Sequence, residues 1–477
     1  APKDVPTLRA VAVFQLQSNE PAKAQSLMND IIRLGGDSDD ADWARRSLAQ
    51  LLAMGGGHQG ALKALEVLDQ AGQGGDPREA APEDLRAKAK ILATQPSTAK
   101  RTEAIAILQG LIERRQAITD DLFLLAQLFE AAGDWPKARE QARKLLDQRG
   151  NNPIYLAYYI TALVRHQLAG EAQVYLDQFK ALAPGQTATI VIEAQVRNAQ
   201  RRSEEAVALI RSLRETNIAP VVIARALEEL GQLDAAEADF RAAAQSGQDG
   251  QVLALAEYLG RRGKTTEALD LCEKLWKTTN PARVATSSVA ILYRADAGDH
   301  ANQRRVLDKI AAAAHAQPDV LSLQFDLANV QTLLGQYDEA EAIFRKVYEL
   351  DKTRGSSLNN LAWMLSLRGS RGAEAVALAN RAIQLDGEVP DLLDTRAVAH
   401  LAAGQTDLAI RDLENALAVS PKPEMYFHLA RAYAQSGRRG DATESLKRAK
   451  DLGLSASSVH PLERATYNQL VGELASR

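Results

Sequence analysis

The chain has 477 residues, 46 % hydrophobic and 25 % charged but only 5 % aromatic, with much of its apolar content in Ala and Leu. That balance suits helix packing better than sheets, which favour β-branched and aromatic residues. Lys and Arg number 57 against 61 Asp and Glu, a net charge of −4, which argues against a generally basic nucleic-acid binder and leaves only a local basic patch open.

The N-terminal APKDVPTLRA has no charged segment followed by an apolar one, so no secretory leader is read there. It also lacks an initiator Met, which suggests a processed chain or one excised from something larger. No run approaches the roughly 18 apolar residues of a membrane helix. The single cysteine, Cys272, excludes an intrachain disulfide framework and a cysteine-based zinc site. These features lean to the cytoplasm, and a removed signal segment would place the chain in the periplasm.

One phrase recurs from end to end: a small residue in mid-helix, a Gly turn, then Ala five residues later. In chain order the mid-helix positions are Ala12, Ala49, Leu92, Ala126, Ile160, Ala194, Ala224, Ala256, Ile291, Ala328, Ala362, Ala397 and Ala430. Their spacings run from 30 (Ala194 to Ala224) to 43 (Ala49 to Leu92) and cluster near 34. The clearest copy is LANVQTLLGQYDEAEAIFRKVYELD, with Ala328, Gly335, Ala340 and Phe344. Small residues let two antiparallel helices approach, Gly supplies the positive φ that ends the first, and bulky Phe344 or Phe240 fills the gap to the next unit. A lone hairpin cannot bury its apolar faces, so the units must stack.

The phrase and its period resemble the tetratricopeptide repeat family. The resemblance covers roughly residues 5–455. It is strong over 119–150, 217–280 and 318–455. It is weak over 80–115, where Pro96 stands at the turn, and over 284–317, where Gln303 takes the expected Ala position. It implies an all-α fold, a right-handed solenoid of about thirteen helix–turn–helix units. The expected divisions are irregular repeats over 1–118, central repeats over 119–283, C-terminal repeats over 284–455 and a capping helix over 456–477. That last helix, with Glu463, Arg464, Asn468, Gln469 and Glu473, is expected to be a solubilising cap. No polar cap precedes residue 8, which suggests missing upstream sequence or a partner at that end. The Gly-rich stretches 54–60 (MGGGHQG) and 71–84 are expected to be flexible, the first a loose turn.

Little in the chain points to catalysis. No phosphate loop or GxSxG elbow is present. Residues 37–42 (DSDDAD) cluster carboxylates, but Asp42 and Leu48 stand where a calcium loop needs Gly and Glu. They read as a solvated loop capping a helix from near Asp42. The seven histidines, His58, His166, His300, His315, His400, His428 and His460, form no HxxxH pair. Cys272 takes the bulky second-helix position and reads as a buried hydrophobe. The recurring Arg pairs, such as Arg261–Arg262, read as helix-end solvation. The expectation is a non-enzyme with no cofactor or metal.

In the family the first helix of each repeat carries binding residues, at two, three and six positions before the small residue and one and four after. Transferred to this chain, those positions put Tyr158 and Arg225 in the central repeats. In the C-terminal third they select Phe325, Asn329, Asn359, Asn360, Trp363, Phe427, His428 and Arg431. Amides can pair with any peptide backbone, and aromatics anchor interfaces. His428 is expected to point into the groove. Asn329 and Asn360 match the two Asn of a known two-carboxylate clamp. Its basic positions hold Phe325, Asp391 and Thr395 instead, and Asp391 and Asp394 would repel a carboxylate, so that clamp is rejected.

The resemblance thus implies a scaffold that holds protein or peptide partners in its groove. The C-terminal phrases LNNLAWMLSLRG and YFHLARAYAQSGRRGDA also resemble repeat regions of large bacterial multidomain proteins. That leaves two alternatives: the regulatory part of a larger enzyme such as a kinase or protease, or an envelope scaffold for polysaccharide export or secretion. Self-association through the first repeat would show as a concentration-dependent mass.

Overall fold

The structure, a computed structural model, describes residues 4–36, 38–70, 81–296, 298–369, 371–456, 458–460 and 463–475. Most of the stretch 71–84 that was expected to be flexible therefore lies outside the described residues, as does Asp37. The described residues form 27 α-helices in thirteen successive hairpins and a last single helix. The first four hairpins are α1 (Val5–Gln17) with α2 (Pro21–Gly35), α3 (Asp39–Gly55) with α4 (Gly57–Asp69), α5 (Pro82–Ala93) with α6 (Thr98–Glu113), and α7 (Thr119–Ala131) with α8 (Trp135–Arg149). The next five are α9 (Pro153–Arg165) with α10 (Ala169–Leu182), α11 (Thr187–Ala199) with α12 (Ser203–Ser212), α13 (Pro220–Glu229) with α14 (Leu233–Ala244), α15 (Asp249–Arg261) with α16 (Thr265–Leu275), and α17 (Pro281–Leu292) with α18 (His300–Ala316). Then come α19 (Leu321–Leu333) with α20 (Tyr337–Leu350), α21 (Gly355–Leu367) with α22 (Gly372–Asp386), α23 (Pro390–Ala402) with α24 (Thr406–Leu417), and α25 (Pro423–Gln435) with α26 (Arg439–Asp451). α27 (Arg464–Ala475) follows. The fold is an all-α solenoid.

The repeat phrase works as the packing argument requires. All ten Ala of the mid-helix series are fully buried, and Leu92, Ile160 and Ile291 are at most 2 % exposed. The second-helix partners Ala138, Ala236, Ala268, Ala340, Ala409 and Ala442 are equally buried. Ten hairpins cross at an Ala and three at a Leu or Ile, and a large residue can fill the space beyond: Phe240 stacks on Tyr258 of the next repeat with ring centroids 4.7 Å apart. Gly133 and Gly335 end their first helices at φ +78° and +77°, the left-handed conformation in which a Cβ is penalised.

Two compact units emerge. One comprises residues 1–144, 353–454 and 469–477, the other 145–352 and 455–468. In the first, Ala12, Met28, Ile31 and Leu48 form one core cluster. A second joins Leu65, Leu92, Leu108, Leu111 and Phe129. The other unit is built on a long continuous cluster running from Ala194 through Phe240, Tyr258 and Cys272 to Val330.

Two local expectations are corrected, and two more are located in the structure. The stretch 54–60 is a tight helix junction and not a loose turn: α3 runs to Gly55, α4 starts at Gly57, and a Cβ on Gly60 would strike the Leu52 carbonyl. Glycine is there because two helices cross at backbone distance. The helix expected near Asp42 begins at Asp39, because the Ser38 side chain accepts from the Ala41 amide at 3.3 Å and caps it. The stretch 284–317, expected to be irregular, holds most of α17 and α18 joined by the longer connection 293–299, and Gln303 is 1 % exposed with its Oε1 2.9 Å from His300 Nδ1. Of the residues named for the expected cap, Glu463 is only 5 % exposed, Arg464 is half-buried, and Asn468, Gln469 and Glu473 are exposed, while Tyr467 and Leu470 form its buried face.

Candidate partner-binding face

Within the second unit the first helices α13, α15, α17 and α19 carry a ladder of polar bonds from each repeat to the next. Arg261 donates from Nε and Nη2 to the two Glu228 oxygens at 2.7 and 2.8 Å. This bond holds the Arg261 guanidinium above its ordinary range. Ser287 donates to Glu257 at 2.8 Å, and Thr286 to Asp326 at 2.8 Å. Arg225, exposed, stands 4.0 Å from Glu257. The backbones come close because Gly260 faces Ile291: a Cβ there would lie 2.6 Å from Ile291 Cγ1. A shallow pocket of about 170 Å³ opens here among Glu257, Arg261, Thr286, Ser287 and Arg294.

Phe325 and Asn329 lie on α19 of this unit. Phe325 is half-buried and meets Phe344 edge-on with ring centroids 5.6 Å apart. Asn329 is 4 % exposed, so it serves the interior and presents no amide to a partner. Tyr158, on α9, is half-buried.

In the first unit Asn359, Asn360 and Trp363 share α21 and are all half-buried. Asn359 Nδ2 lies 3.4 Å from Asn360 Oδ1, while Asn359 Oδ1 has no hydrogen-bond partner among the described residues. Arg431, on α25, is also half-buried. Two expected groove residues are corrected. Phe427 is 1 % exposed and belongs to the core. His428, 3 % exposed, does not reach into a groove: its Nδ1 is bound to Asp394 Oδ1 at 2.6 Å, joining α25 to α23. The clamp positions fare as their chemistry suggests: Thr395 is buried and Asp391 is taken by Lys422 at 2.5 Å.

The ladder itself was missed at the level of sequence. A signal existed: complementary residues one repeat apart, such as Glu228 with Arg261 and Asp394 with His428, can be found by scanning at the repeat period. Among the described residues no group of three or more His, Cys, Asp or Glu could hold a metal ion, and no helix is long and apolar enough to cross a membrane. Cys272 is 1 % exposed, and burial pushes its thiol up to about 11, far from the reactive range of a nucleophile.

Tetratricopeptide repeat family models match residues 321–354 and 395–456. No curated protein matches the chain in sequence. Among solved structures, the APC/C hetero-tetramer Cut9–Hcn1 aligns at 12 % identity over 99 % of this chain and 94 % of that one, with a TM-score of 0.38. Yeast Tom70 aligns at 13 % identity over 91 % and 96 %, with a TM-score of 0.42. A tetratricopeptide repeat protein from Parabacteroides merdae aligns at 17 % identity over 54 % and 97 %, also at 0.42. At these values the likenesses carry nothing about function. The matched segments hold α19 with α20 and most of the last two hairpins: residues 321–354 and 395–456 are tetratricopeptide repeats, and the same buried-Ala hairpin recurs through the described residues.

Proposed function

We propose that the chain is a non-catalytic scaffold that holds a protein or peptide partner on the first-helix face of its repeats, with Asn359, Asn360, Trp363 and Arg431 as contacts in one unit and Tyr158, Phe325 and Arg225 in the other. One observation carries the reading. α21 brings two amides and an indole together, Asn359, Asn360 and Trp363, all half-buried at the edge of the core. Trp363 supplies apolar area of the kind that dominates interface energetics. Asn359 Oδ1 is an acceptor without a donor among the described residues, a state that buried polar groups rarely keep and that a partner N–H would relieve.

The test compares the wild-type chain with an Asn359→Ala, Asn360→Ala, Trp363→Ala variant in affinity capture from the native cell. Buried Asn329 is left intact so that the fold is not at stake. The expected result is a partner retained by wild type and lost by the variant, with unchanged helicity and melting. If melting falls together with capture, these residues are structural. If the captured set is unchanged, α21 is not the contact surface.

A further inference from the structure

Within the first unit, two stretches far apart in the chain meet. His58, the second residue of α4, has Nδ1 2.7 Å from Gln95 Oε1, which steadies the ring against the α5–α6 turn. The side-chain amide of Gln59 donates to the Gln384 carbonyl at the end of α22, 325 residues on. Ser97 Oγ donates to Glu388 Oε2 at 2.6 Å across 291 residues, and Thr98 bonds Asn415 at 3.3 Å across 317. At the centre stands Gly387, at φ +87°, where a Cβ would lie 2.8 Å from His58 Nδ1. Glycine is required there twice over, by conformation and by close approach.

The junction joins polar bonds to a partly apolar lining and is incompletely filled. A cleft of about 560 Å³ remains between its banks, with Leu62, Pro96 and Lys100 on one side and Arg381, Gln384 and Glu388 on the other. Each bank has its own interior: Leu65, Leu92 and Leu108 below α4 and α6, and Ala375, Ala379 and Ala382 along α22 against α21 and α23. Separating the banks trades hydrogen bonds between protein groups for bonds to water, at small net cost each, and wets a cleft lining of Leu62, Pro96 and Ile383 that the unfilled cleft already leaves loosely packed, while each bank keeps its own interior. Contacts of this kind sit at the low-stability end of a fold.

We propose that this junction is a releasable clasp: the turn between α22 and α23 latches onto α4 and the start of α6 around Gly387, and opens without unfolding either bank. Opening uncovers Ser97 and the α22–α23 turn, so the clasp governs access to that side of the first unit.

The test uses the full chain with Lys100→Cys and Gln384→Cys, two accessible positions that line the cleft, joined by a short bismaleimide. Buried Cys272 stays silent. The intrachain cross-link is quantified by mass spectrometry of the digest, with helicity and melting followed by circular dichroism. Two latch variants are compared on this background: Gly387→Val, and the combination Gln59→Ala, Thr98→Ala, Glu388→Ala, which deletes only side-chain bonds. The expected result is an efficient cross-link in the parent and a yield reduced about tenfold in both variants, for the side-chain variant the loss of one or two net hydrogen bonds, with unchanged helicity and melting in the side-chain variant. Three results would overturn the clasp: no intrachain cross-link in the parent, a yield untouched by both variants, or melting that falls together with the yield in the side-chain variant. The last would make the junction part of the cooperative core.

Discussion

Arg86–Asp121 in the first unit and Arg261–Glu228 in the second are the same bond at nearly the same spacing, in different solvent. Both join the first helices of neighbouring repeats through an Arg guanidinium on a carboxylate. Arg86 Nε lies 2.9 Å from each Asp121 oxygen, and its Nη2 donates to the Gln116 carbonyl at 2.9 Å. Asp121 is 1 % exposed and also accepts from the Ile118 amide at 2.9 Å, closing the start of α7. Glu228 and Arg261 keep 21 % and 33 % of their side-chain surface in water. Repeat spacing therefore places a pair, while burial decides what it is worth. Removing one partner from a dry site strands a charge, whereas a wet site refills with solvent.

Arg86→Ala tests the dry end and carries the largest expected effect, a loss of about 3–5 kcal/mol read as a lower urea midpoint by circular dichroism. A loss below about 1 kcal/mol, the range of an exposed pair, would mean that Asp121 reaches water and the contrast with Glu228 fails. Asp239 sharpens the comparison, because it is equally dry yet belongs to the second unit. At 5 % exposure it is held by Arg211 at 2.9 Å and by Arg214 as well. Arg211→Ala alone should cost about 1 kcal/mol, and Arg211→Ala with Arg214→Ala about 3 kcal/mol. A double variant that merely adds two small losses would show that burial is not the deciding factor.

The wet end has a pH signature. Bonds from Lys264 and then Arg241 hold the Glu237 carboxyl below its ordinary range. A depressed acid stabilises the fold above its unfolded value and loses that contribution as pH falls through the folded one. Melting measured from pH 6 down to pH 3 should fall more steeply for wild type than for Glu237→Gln, and parallel profiles would remove Glu237 from the account. The smallest effect belongs to Arg225→Ala. With 58 % of its side chain exposed and Glu257 4.0 Å away, thermal stability should change by no more than about 0.5 kcal/mol. A larger loss would show that this ladder is worth more than its exposure allows.

The sequence by itself determined the hairpins, their number, their small-residue crossings and Cys272 as a buried thiol. These depend on neighbours within one repeat or the next, and the 34-residue period states such contacts openly in Ala328, Gly335, Ala340 and Phe344. Part of the candidate face was legible in the same way, since a first-helix register places Asn359, Asn360 and Trp363 together. Tertiary structure alone decided which of the register positions stay open. Asn329, Phe427 and His428 occupy the same register as their half-buried counterparts, and only the packing of α19, α23 and α25 buries them further. It also decided that the glycines at 54–60 serve a close crossing, and that His58 and Gly387 meet. The physical reason is accumulation: each repeat sets a small rotation relative to the last, and a contact spanning 325 residues is the sum of many such steps, which no local pattern records.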